Sequence, residues 1–192
     1  MQKSNQIIIS FNGQEGSGKS TIATLLAEKL QIPRFYMGQI FRDMAKERGL
    51  TLQEFRKICD NDPSFDKEID AYVASLPTKE VSFVIEGRTA WHFIPQSIKI
   101  YLKVDAKVAA ERIFKGLEEK NNRGNEDVNL TTVSNIESSI LQRRKEDSER
   151  YFSLYGINQD DVNNYDLVLD TTHLTITEVF ESIMTFIHEK SR

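Results

Sequence analysis

The clearest chemistry in this sequence lies in Gly13, Gln14, Glu15, Gly16, Ser17, Gly18, Lys19 and Ser20, which satisfy the pattern G-x-x-x-x-G-K-[ST]. Small residues at these positions let the backbone curl into a concave nest whose N–H groups face inward. A helix starting at its end adds the positive pole of its dipole. Lys19 then reaches the terminal phosphates of a bound triphosphate, Ser20 is placed for magnesium, and Thr21 completes the ATP-binding segment. The loop alone leaves open whether the γ-phosphoryl group goes to water, to a protein or to a small acceptor.

Three further segments bear on the acceptor. Val84-Ile85-Glu86-Gly87-Arg88 ends an apolar run with a carboxylate and a guanidinium. Arg88 can grip a phosphate through its planar fork, and Glu86 can position a magnesium-bound water. The bland reading is a surface ion pair at a strand end. Arg42, four residues after Gly38, is placed to close over the same crevice. Arg143, Asp147 and Arg150 stand at i, i+4 and i+7, one stripe along a helix about 10 Å long. Such a stripe brings two cations to a phosphoryl group in flight with a carboxylate between them, although a solvated helix laced with ion pairs has the same spacing. Arg42, Arg88, Arg143 and Arg150 beside a nucleotide loop suggest a second phosphorylated ligand, because a water-using ATPase needs far fewer cations.

The elements that must position these residues follow an α/β pattern. Short β-branched or aromatic runs occur at 7–11, 34–37, 81–85, 98–102 and 166–169, separated by helical stretches. Parallel strands with helices on both faces collect ligands at the strands' carboxyl ends, where the loop and Glu86-Gly87-Arg88 fall. Residues 38–80 are too many for one crossover and read as a helical insertion containing Gln39 to Arg48 and Leu52 to Cys59. Residues 118–130 are polar and glycine-punctuated, as in a flap. Thr175 and Glu178 have capping-box spacing before an amphipathic C-terminal helix.

Composition bounds the rest. With 192 residues, 39% of them hydrophobic, the chain fits one domain with small appendages. A single cysteine, Cys59, forms no internal disulfide, and three dispersed histidines make no zinc cluster. Apolar runs are far shorter than the ~20 residues of a membrane span, and no signal peptide is visible. A cytoplasmic protein is expected. The net charge of -4 argues against nucleic acid or anionic lipid as partners, so any phosphate site must be local.

These residues resemble the cytidylate kinases of the nucleoside monophosphate kinase family, especially their short archaeal-type branch. The likeness covers nearly the whole chain. It rests on the phosphate loop, on Gly38 to Arg42 with the following A-K-E-R-G-L-T-L-Q-E-F, on Glu86 to Arg88, on the Arg143, Asp147, Arg150 spacing, and on the stretches 150–158 and 165–171. The resemblance implies a P-loop NTPase fold with a five-stranded parallel sheet. Its core would span 1–37, 77–114 and 131–192, with a monophosphate-binding insertion at 38–76 and a lid at 115–130. It implies Lys19, Arg143 and Arg150 as catalytic, residues 13–21 and Arg112 on ATP, Arg42 and Arg88 on the acceptor's phosphate, and Asp147 on the acceptor's ribose or on an arginine. Mg²⁺ would sit on Ser20 and, through water, on Glu86. The implied reaction moves the γ-phosphoryl of MgATP to CMP, with dCMP or UMP as further acceptors, in a monomer. An adenylate-type or other small-acceptor kinase and a regulatory ATPase on the same scaffold are the rivals. Gln39 and Thr89 stand where members of the family carry acidic residues, and Lys115 or Arg123 would replace a lid arginine. Trp91 and His92 would line the base pocket or pack the insertion against the core.

Overall fold

The computed structural model describes residues 6–62, 64–118 and 132–190. Five parallel strands form one sheet in the order β2-β3-β1-β4-β5: β1 (Ile8–Gly13), β2 (Arg34–Tyr36), β3 (Phe83–Glu86), β4 (Ile98–Lys103) and β5 (Leu167–Asp170). The central strand β1 is buried on both faces, which explains its near-continuous apolar run. Its alternate side chains serve two cores. Ile9 and Phe11, with Val84, Ile100 and Leu102, pack under α1 (Lys19–Leu30) and α8 (Ile176–Lys190). Ile8, with Phe83 and Ile85, packs under the one-turn α5 (Ala90–Phe93) and the end of α4 (Ser64–Lys79). Each fully buried Ile or Phe is worth roughly 1.5–3 kcal/mol, so this sandwich fixes where β1 ends.

Between β2 and β3 lie α2 (Met37–Glu47), α3 (Leu52–Asn61) and α4, whose second half carries Val73 and Leu76 into the core beside β3. Thr51 caps α3 in a reciprocal box with Glu54, and Thr175 and Glu178 form the expected box ahead of α8. Beyond β4, α6 (Ala106–Glu118) pairs with the long α7 (Val133–Tyr155), with Ala109, Ala110 and Ile113 against Ile136 and Ile140. Most of the expected lid, including Arg123, lies outside the described residues. None of the described helices is long and apolar enough to cross a membrane.

Two glycines decide how β1 enters the phosphate loop. Gly13 has φ +138°, and a Cβ there would stand 2.2 Å from the Leu102 carbonyl oxygen on β4. Gly18, the residue before α1, has φ +89° but open space where a Cβ would go. Gly18→Ala should therefore cost only the backbone strain, ~1–2 kcal/mol, and Gly13→Ala clearly more, ~3 kcal/mol or above, because strain and collision add. Urea unfolding of both variants checks this order; equal losses would remove the close approach of the loop to β4 as a constraint.

Candidate active site

The phosphate loop is anchored to the ends of β4 and β5. Gln14 N–H donates to Leu102 O at 2.9 Å, and Val104 N–H donates to Gln14 Oε1 at 2.7 Å, tying the loop to the end of β4. Gly16 lies against Ala109 of α6 so closely that a Cβ would come within 2.8 Å of the Ala109 Cα. Arg112, on α6, donates to Gly16 O at 3.4 Å, Thr171 O at 2.8 Å and Thr172 O at 3.2 Å, clamping the loop to the end of β5. Lys19 donates to Gly13 O at 2.7 Å and Gln14 O at 2.6 Å. It is thus folded onto the loop it serves. Burial lowers the Lys19 ammonium to about 8, and Glu15 opposes that fall.

At the carboxyl end of β3, Glu86 is 2% exposed and shared between two partners. Its Oε2 accepts from Ser20 Oγ at 2.7 Å, and its Oε1 from Arg34 Nε at 2.5 Å. The β2 guanidinium offsets the cost of burying this carboxylate. One hydroxyl and one carboxylate side by side suit Mg²⁺, which keeps most of its shell as water and substrate oxygens. The described residues hold no cluster of three or more His, Cys, Asp or Glu ligands.

Arg88 is the hub of the opposite wall. Its Nε lies 2.8 Å from Asp147 Oδ2, and its Nη2 is paired with Glu15 of the phosphate loop. Asp147 also faces Arg143 at 3.9 Å and Arg150 at 3.7 Å, and Arg150 faces Asp66 of α4 at 3.8 Å. The α7 stripe therefore meets β3, the loop and the insertion. Burial would lower the Arg88 guanidinium, but Glu15 and Asp147 outweigh it and hold the charge firmly. Burial likewise opposes the Glu15 charge, yet Arg88, Lys19 and Arg143 prevail and bring that carboxyl down to about 2.

Arg42 stands apart from this cluster. It lies on α2, donates to Gln39 Oε1 at 3.0 Å and sits 5.0 Å over the Tyr36 ring, and no described contact joins it to Arg88. Lys115 lies on α6 at the edge of the described residues. Trp91 packs with Tyr151 and Ile157 and donates Nε1–H to Arg88 O at 2.9 Å, so it braces Arg88 against α7.

The sequence reading missed several residues. Asp66 and Asp70 both lie on the buried face of α4. Asp70 accepts from Thr89 Oγ1 at 2.9 Å and from Tyr155 Oη, while burial raises its carboxyl above the ordinary range. Asn12, one residue before the end of β1, donates to Arg88 O at 3.3 Å, Gln159 O at 3.2 Å and Tyr165 Oη at 2.6 Å. Asp160 accepts from Tyr101 Oη at 2.5 Å and from Arg144 Nε at 3.0 Å, fastening the 157–165 loop. The usable signal was the shared helical face of Asp66, Asp70 and Val73, where two acids join an apolar residue.

The charge balance gives a pH test. A carboxyl held below its ordinary 4.5 leaves the unfolded chain binding more protons, so its stabilisation is present above that pH and lost as pH falls toward about 2. Glu15→Gln should therefore be less stable than the parent at about pH 6, with the gap closing as acid protonates Glu15. Denaturant titrations at a series of pH values measure it; a gap independent of pH would contradict the ion pair.

A profile of the cytidylate kinase-like family matches residues 8–173. The chain is 36% identical over 191 residues to a cytidylate kinase of Methanococcus aeolicus, covering 97% of this chain and 100% of the relative. It is 37% identical over 175 residues to one of Pyrococcus furiosus, covering 91% and 84%. Among solved structures, a shikimate kinase from Bacteroides thetaiotaomicron superposes with a TM-score of 0.65 at 13% identity, covering 95% of this chain and 98% of that one. An uncharacterized protein from Eubacterium ventriosum gives 0.67 at 18%, covering 95% and 99%. These structures share the fold. With the profile spanning the phosphate loop, the β3 end and the α7 stripe, the chain belongs to the cytidylate kinase-like family.

Proposed function

We propose that the chain moves the γ-phosphoryl group of MgATP to the phosphate of CMP, with dCMP or UMP as further acceptors, giving the nucleoside diphosphate and ADP in the cytoplasm as a monomer. The observation that carries this reading is the gathering of Arg88, Arg143 and Arg150 around Asp147, against the phosphate loop. Water as acceptor would need no such cluster. The family match and the cytidylate kinase relatives support the same reading.

In this mechanism residues 13–21 bind the donor, with Arg112 holding the loop from behind. Lys19 exchanges the Gly13 and Gln14 carbonyls for phosphate oxygens. Ser20 and, through water, Glu86 would hold Mg²⁺, which neutralises charge on the donor phosphates. Arg88 takes the acceptor phosphate, oriented by Asp147, and Arg42 joins it as the insertion closes. Arg143 and Arg150 face the group in transfer, where charge spreads over its equatorial oxygens. An acceptor phosphate oxygen is already a nucleophile, so alignment and electrostatics suffice. Thr89 gives its single hydroxyl hydrogen to Asp70 and can meet a base only as an acceptor, which suits the exocyclic amino group of cytosine.

Lys19→Ala should lower turnover at least ~100-fold with the fold intact, because it removes a charge aimed at the transition state. Arg88→Ala should raise the acceptor KM far more than the ATP KM, and Arg143→Ala and Arg150→Ala should lower kcat more than they raise the ATP KM. A coupled assay with circular dichroism on each variant decides; wild-type kcat in both α7 variants would reduce the stripe to a solvated face.

The acceptor order should be CMP first, UMP weaker, and AMP and GMP poor, because the pocket is read as fitting one ring. Comparing kcat/KM for CMP, dCMP, UMP, AMP and GMP at one MgATP concentration tests it. AMP above CMP would overturn the base assignment, and ATP turnover indifferent to every monophosphate would replace the kinase with a regulatory ATPase.

A further inference from the structure

Glu15 places a carboxylate inside the phosphate loop. The loop attracts polyanions through backbone N–H groups and Lys19, so a carboxylate within it repels the ligand it should welcome. The side chain is nonetheless held inward, 16% exposed, with Oε1 on Arg88 Nη2. Its Oε2 is buried and has no hydrogen-bond partner among the described residues. Leaving a charged oxygen so placed is costly, and the site tolerates it because Arg88, Lys19 and Arg143 surround the group.

The two carboxylates on Arg88 differ in kind. Asp147 sits on α7, on Nε, and also faces Arg143 and Arg150, so it holds the arginines in register. Glu15 comes from the loop and occupies the Nη2 end, the part of the fork that a phosphate would use. Carboxylate and phosphate oxygens seek the same bidentate geometry. They therefore compete for one guanidinium.

We propose that Glu15 is an internal anion seated on the phosphate-gripping end of Arg88, displaced by the acceptor monophosphate, so that it sets acceptor affinity and keeps Arg88 from a bound triphosphate when no acceptor is present. The inference rests on Arg88 as the acceptor-phosphate residue. Glu15 acts through Arg88 and is a positioning residue. Displacing it breaks an existing ion pair, which weakens acceptor binding relative to an unoccupied Arg88. Without the acceptor, the same ion pair draws charge away from the donor's γ-phosphate, and ATP is spared from water.

The experiment is calorimetric titration of the full chain with CMP in the absence of ATP, for the parent, Glu15→Gln, Arg88→Ala and the double variant. Glu15→Gln should bind CMP about fivefold to tenfold more tightly while melting at a lower temperature, a pairing that simple structural damage does not produce. The double variant should bind like Arg88→Ala alone, because the effect passes through Arg88. In the coupled assay Glu15→Gln should lower the CMP KM by more than it changes kcat and raise ATP hydrolysis without CMP about threefold or more. Glu15→Ala should reproduce the tightening if charge is the cause. CMP binding unchanged or weaker in Glu15→Gln, with Arg88→Ala weakened as expected, overturns the internal anion and leaves the acceptor reading standing. Parent-like CMP binding by Arg88→Ala overturns both.

Discussion

A site that handles several phosphates must keep its cations together while the phosphates are away, and this constraint organises the crevice. Arg88, Arg143, Arg150, Lys19 and Arg34 gather around the carboxyl ends of β1 and β3, where their mutual repulsion would otherwise splay the walls. The chain answers with Asp147, Glu15, Glu86 and Asp66, each on a different element and each facing at least one of those cations. Asp147 matters most because it faces three arginines at once and links β3 to α7. Partly buried pairs of this kind add little net stability, because desolvation offsets attraction, but they fix geometry. Geometry is what in-line transfer requires.

The neutral network behind this wall serves the same end. The Asn12 amide bridges the Arg88 carbonyl, the Gln159 carbonyl and the Tyr165 hydroxyl, while its Oδ1 accepts from Gly13 N–H at 2.7 Å. The last residue before the phosphate loop thus sets the backbone of Arg88. Trp91 grips the same carbonyl of Arg88 from the other side. The phosphate loop and Arg88 share one set of hydrogen bonds, so neither can shift without disturbing the other.

The strands were legible because buried parallel strands write themselves as apolar runs, and the observed strands fall within a few residues of those runs. β1 extends past Phe11 through Asn12 because the amide is fully used, which a hydropathy pattern cannot register. β3 begins at Phe83 rather than Val81, which is 62% exposed. The loop and the α7 stripe were legible because their spacing is local. Arg34 was not, since its partner Glu86 is 52 residues away, and nothing in Arg34-Phe35-Tyr36 announces that pairing. The full length of α4 was hidden by Pro77 and by Asp66 and Asp70, acids that read as solvent-facing until their partners on α5 and α7 are in place.

Asp70 shows how α4 and α7 are joined. Its carboxylate accepts from Thr89, just beyond the Arg88 wall, and from Tyr155 near the end of α7. Four residues earlier on α4, Asp66 faces Arg150 on the same helix α7. Two acids one turn apart would repel each other on an exposed helix, but here each is matched by a group from α7. A rotation of α4 away from α7 would therefore loosen Asp66 and Asp70 together and leave buried carboxylates to find new partners, at a cost of several kcal/mol. The other two helices of the segment are tied to α4 in turn: Phe55 of α3 packs on Phe65 with ring centroids 5.3 Å apart and on Phe41 of α2, and Arg48 at the end of α2 faces Glu68. Phe55, Phe65 and Arg48 thus carry the α2 and α3 pair on α4, and Asp66 and Asp70 carry α4 on α7, so the position of Arg42 on α2 is set through three successive packed helices.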